Sequence, residues 1–167
     1  TLTGETTDAT LALPGVDVGA DDEASAALVH WWRSRGDVDR ALAVTGPSDL
    51  RTFGYTLWRL ERARAALVGN RERMAQEEAR KGLDEATAQG FAELQVYAQL
   101  ILGAITDVDD GAWAELQRRA MTSMWTEVFL GALEMDARRL SRSQPELARQ
   151  RWRALEARSG ELGYRPG

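Results

Sequence analysis

The sequence predicts an all-α, right-handed α-solenoid of about four helix–turn–helix units, and three observations carry that reading. Short turns rich in Gly, Asp and Asn recur at Gly36-Asp37, Gly69-Asn70, Asp109-Asp110-Gly111 and Ser143-Gln144-Pro145. Measured between Gly36, Gly69, Asp110 and Ser143, they lie 33, 41 and 33 residues apart. Between the turns, apolar residues repeat at three and four, the spacing of amphipathic helices. Hairpins recurring every ~35 residues bury their apolar faces only by stacking on the next unit.

The elements follow in order. Residues 1–20 read as an acidic, Thr/Gly-rich leader or linker, too poor in apolar residues to fold alone, with Pro14-Gly15 as a turn. The repeat domain is expected over 21–163. Asp21-Asp22-Glu23 sets negative charge before a helix over 24–35, favourable against the helix dipole. Its stripe is Ala27, Leu28, Trp31 and Trp32. A short helix, 38–44, turns Ala41 and Leu42 inward and ends at Gly46-Pro47, where Ser48 is a candidate N-cap for the next helix.

That next helix carries Leu50, Phe53, Gly54, Leu57, Leu60 and Leu67 through about Val68. Its partner presents the small residues Ala75, Ala79, Gly82 and Ala86, which let two helices approach closely, and stops at Gly90. The helix over 92–105 is apolar on nearly all sides, which predicts neighbours on both flanks. A helix from about Ala112 to Met121 or Met124 follows, then one over 126–140. The last helix runs from Pro145 to about Gly160, with Ser143-x-x-Glu146 in a capping-box pattern. Residues 164–167 are a tail.

Composition narrows the function classes. The 167 residues are 44% hydrophobic and 28% charged, within the globular range. The absence of cysteine excludes disulfides, thiolate catalysis and zinc–cysteine sites, and fits a reducing, cytoplasmic setting. The apolar run 91–105 is interrupted by Glu93, Gln95 and Gln99 and is too short to span a bilayer, so no membrane partner is expected. No secretory signal is visible. The chain opens on Thr, as expected of a piece of a longer protein. Charge is uneven: residues 1–23 sum to −6, residues 138–167 to +5, and the whole to −5. Acidic head and basic tail could attract each other or meet different partners.

The stretch Gly36-Asp37-Val38-Asp39-Arg40-Ala41-Leu42, and Gly69-Asn70 with Ala75, Ala79, Gly82 and Leu83, resemble the tetratricopeptide repeat. The segments ending Ala86-Thr87-Ala88-Gln89-Gly90 and Leu155-Glu156-Ala157-Arg158-Ser159-Gly160 resemble repeat arrays of large bacterial, actinobacterial-type signal-responsive transcriptional regulators. The resemblance covers about residues 24–162. It departs from the family in the 41-residue spacing and in lacking the joint Trp, Gly and Tyr of the first helix. It implies a sensor or scaffold part of a regulatory protein, with ligands on the concave face lined by the first helix of each hairpin.

No motif with catalytic spacing is present. His30 is the only histidine and has no partner pattern for a triad or zinc site, so it reads as a partly buried structural residue. The acidic clusters Glu77-Glu78, Asp84-Glu85 and Asp107 to Asp110 read as turns or solvated faces, and calcium-loop spacing is missing. No phosphate loop occurs. Enzymatic activity, a metal and a cofactor are therefore not expected.

Six tryptophans (31, 32, 58, 113, 125 and 152) are available for core or ligand. Trp113 and Trp152 read as core. Trp58 falls outside the buried stripe of its helix, so Tyr55, Trp58, Arg59 and Arg62, with Gln95 and Gln99 from the next unit, are the candidate peptide-binding residues. The arginine-rich end lacks a recognition-helix signature, so nucleic acid is not an expected partner. The expected function is non-catalytic protein or peptide recognition. The alternatives are a small-molecule effector cavity between hairpins, or homodimerisation through leftover aromatics.

Overall fold

Three helix ends carry one left-handed residue each, and there the chain reverses. Gly36 has φ +75°, Asn70 +55° and Gly90 +74°. At each, the next residue's N–H reaches back to the carbonyl five positions earlier: Asp37 to Trp32, Arg71 to Ala66 and Phe91 to Ala86. These are Schellman endings, which satisfy the last carbonyls of a helix. Asparagine tolerates that conformation because its short polar side chain lowers the steric penalty.

The computed structural model describes residues 23–161 except 107 and 124. The leader 1–20, the pair Asp21-Asp22, Asp107, Met124 and the tail 164–167 lie outside the described residues. Eight helices are described: α1 (Ala24–Ser34), α2 (Val38–Ala43), α3 (Phe53–Val68), α4 (Glu72–Gln89), α5 (Ala92–Ile105), α6 (Asp110–Met121), α7 (Thr126–Ser141) and α8 (Pro145–Glu161). No strand occurs among the described residues, so the all-α expectation holds. No described helix is long and apolar enough to cross a membrane.

Two helix starts differ from the expected caps. The hydroxyl of Thr52, not Ser48, accepts from the Tyr55 N–H at 3.2 Å, so α3 begins at Phe53 and Leu50 is left 61% exposed. Asp49 fixes that approach by accepting from the Arg51 N–H, a local turn that competes with earlier helix formation. Ahead of α8, the Ser143 and Gln144 N–H groups both donate to Leu140 O. Helix α8 then starts at Pro145, which puts Gln144 rather than Ser143 at the cap position. Asp37 and Asp109 cap α2 and α6 as short side-chain acceptors do.

Each helix packs on its successor, and the odd-numbered helices pack in series, α1 on α3, α3 on α5 and α5 on α7. Helix α5 lies against α3, α4, α6 and α7, which explains why Leu94, Tyr97, Leu100 and Ile101 are all fully buried. The α3–α4 seam is built from small residues. A Cβ on Gly82 would stand 2.5 Å from a Leu60 methyl, and Ala63, Ala75 and Ala79 are fully buried. A second small core joins Val29, Ala41 and Ala65 of α1, α2 and α3. Trp113 is core, as expected: it packs on Gly103 and donates to Asp136 at 3.0 Å.

Candidate functional site

Helical stripes from four helices meet at one cleft of about 740 Å³. Helix α1 contributes His30, Trp31, Arg33 and Ser34 from its last turns, and α3 contributes Arg64 and Val68. Helix α7 supplies Glu127, Leu130, Glu134 and Arg138, spaced three or four apart on one face. Helix α8 supplies Trp152, Arg153, Leu155 and Glu156. Trp31 of α1 and Trp152 of α8 both line the cleft, and Trp152 is half-buried here where core packing was expected.

The floor is an ion network between α1, α3 and α7. Glu61 receives Arg33 and Arg64, each at 3.3 Å, and the Tyr97 hydroxyl donates to it. Glu134 pairs with Arg64, with Arg33 at 3.5 Å and with Arg138 at 3.1 Å. His30 Nδ1 lies 3.0 Å from an Arg33 amino group and 3.5 Å from Glu61, and the ring is partly exposed. His30 is thus partly buried, and it lines the cleft.

Electrostatics follow from this crowding. Burial alone would raise the Glu61 carboxyl, but Arg64 and Arg33 outweigh it and hold it well below the usual carboxylate range. The same contest at Glu134 ends at a pKa of about 2, with Arg64, Arg33 and Arg138 overcoming desolvation. Arg64 is raised well above its ordinary value because Glu134, Tyr97 and Glu61 overcome the desolvation that opposes its charge. Tyr97 is pushed well up, by burial first, and stays a neutral donor. Carboxylates held this far from neutrality are ill suited to general acid–base work, which favours a pKa near the operating pH. No group of His, Cys, Asp or Glu suited to a metal occurs among the described residues.

The six residues expected from sequence lie elsewhere, and five of them are hydrogen-bonded within the chain. Tyr55 and Arg59 face α4: Arg59 pairs with Glu78 at 2.8 Å and Glu85 at 3.0 Å and donates to the Tyr55 hydroxyl. The Trp58 indole donates to Val44 O at 3.1 Å and covers Gly46, while Arg62 donates to Leu42 O at 2.8 Å. Gln95 donates to Ala86 O, and the buried Gln99 Oε1 has no hydrogen-bond partner. The structure therefore groups Tyr55, Trp58, Arg59 and Arg62 on α3, against α4 and the segment after α2. Gln95 sits apart at the α4–α5 corner. None of the six lines the cleft, whose α3 wall is the Arg64–Val68 face.

Comparison with known proteins adds no relative: no family model, no curated protein and no solved structure matches this chain.

Proposed function

We propose that this chain is a non-catalytic peptide-recognition module, a tetratricopeptide-like α-solenoid whose ligand lies in the cleft between α1 and α8. The cleft itself carries the reading. It is half open, walled by two tryptophans, and mixes apolar side chains (Val68, Leu130, Leu155) with charged ones. Rigid aromatics beside arginines are the usual anchors of peptide binding. Serial packing of the odd-numbered helices supports the solenoid reading, and the Gly36 and Asn70 turns fall where such repeats place theirs. In a larger cytoplasmic regulator the module would serve as sensor or scaffold.

The test is selection of 12-residue peptides from a random displayed library on the purified chain, with affinities by calorimetry. Trp152→Ala should weaken a selected peptide about thirtyfold, the loss of a hot-spot residue worth about 2 kcal/mol. Peptides bound equally well by Trp152→Ala would sink the reading. The cleft volume of about 740 Å³ also suits a small effector. That reading would be favoured by a thermal shift with library compounds and no selectable peptide.

A further inference from the structure

Three guanidiniums share two carboxylates at the cleft floor, which leaves one positive charge over. Arg33, Arg64 and Arg138 face Glu61 and Glu134. The side chains of Arg33 and Arg64 are only 9% and 4% exposed, and the Nε of each lacks a hydrogen-bond partner. The buried pairs balance, so the surplus falls on Arg138, 26% exposed and partly open to the cleft, where an anion can meet it. His30 does not supply one, since an imidazole carries no negative charge.

The open donors lie toward the cleft mouth. Arg138 bonds Glu134 through its Nε, and its terminal amino groups make no hydrogen bond among the described residues. Its guanidinium sits 5.6 Å from the Trp152 ring centre. The neighbouring Arg153 makes no ion pair among the described residues and lines the same cleft. In all, the lining carries five arginines (33, 64, 138, 149, 153) against Glu127, Glu134 and Glu156.

We infer that the cleft reads an acidic side chain of its peptide, the carboxylate seated on the terminal amino groups of Arg138 and Arg153. The ring of Trp152 covers the apolar flank of that residue. A planar carboxylate fits because the outer edge of a guanidinium presents two parallel N–H donors. With Glu134 on the Nε side, that outer edge is the one left open. The inference rests on the cleft being a peptide groove.

The experiment uses the peptides selected above. They should be enriched in Asp or Glu, and changing the key acid to its amide should weaken binding about tenfold or more. Arg138→Gln should cost a similar factor for the acidic peptide and nothing further for the amide, the signature of a direct pair. Arg153→Gln, on exposed α8, repeats the test should Arg138→Gln unfold the chain. Selected peptides without acids, or affinities unmoved by the amide change, overturn the inference; continued sensitivity to Trp152→Ala would then leave the groove reading standing. Loss of that sensitivity, or failure to select any peptide, overturns the groove reading and the inference with it.

Discussion

Helix α3 carries two arginine–glutamate clusters on different flanks, and their charges balance differently. On the α4 side, one cation, Arg59, meets two carboxylates, Glu78 and Glu85, and the Tyr55 hydroxyl. Lys81 also acts on Glu85, so that cluster is close to balanced, with Glu85 26% exposed. Burial raises the Glu85 carboxyl, and Arg59 offsets this only in part. On the cleft side the buried Arg33 and Arg64 balance Glu61 and Glu134, and the third cation, Arg138, is 26% exposed. Similar residue types thus balance on one flank with the help of Lys81 and leave one cation over on the other.

The comparison breaks first at Glu134. Glu134→Ala removes the carboxylate shared by three arginines and should cost about 3–5 kcal/mol in urea unfolding, since it strands buried cations. Glu85→Ala costing as much would erase the difference between the clusters. Next comes pH. Glu134 titrates at about 2 when folded against an ordinary 4.5, so its contribution is complete above about pH 4.5 and lost as pH falls toward 2. That slope amounts to about 3 kcal/mol. Glu134→Gln should flatten it in acid unfolding followed by circular dichroism.

Smaller effects sharpen the picture. A Cβ at Gly131 would stand 2.8 Å from the Tyr97 ring. Gly131→Ala should therefore cost about 1–3 kcal/mol by overpacking and disturb the Tyr97–Glu61 hydrogen bond. Tyr97→Phe, which deletes only the hydroxyl, separates the two contributions. Smallest is Glu85→Gln, expected to cost under about 1 kcal/mol and to lose that effect in high salt. An effect independent of salt would mean the Arg59 cluster is drier than its exposure implies.

Much of the helical frame is legible in the sequence because turn chemistry is local. Gly36, Asn70 and Gly90 each sit where a left-handed residue ends a helix, and α5 betrays its central place by lacking a polar face. Ser48 misleads because a cap depends on which competing turn wins, and here Asp49 delays the helix to Thr52. The site is less legible for a reason of distance. Trp58 stands outside its helix's apolar stripe, but only the folded chain brings Val44 and Gly46 to cover it. Glu61, Arg64 and Glu134 were the available signal. Each is ionisable yet lies beside apolar core positions, Leu60, Ala63 and Met135, a placement that requires a buried partner. Periodicity cannot name that partner, since Arg64 and Glu134 are separated by 70 positions.

The Arg33–Glu134 pair also sets an order of events during synthesis. Of the two helices α1 is made before α7: Arg33 meets Glu61 28 positions on, but Glu134 is encoded about 100 residues later. At roughly 5–20 residues per second, that interval is on the order of five to twenty seconds. Until Glu134 emerges, Glu61 alone faces Arg33 and Arg64, and the floor of the cleft lacks its second carboxylate.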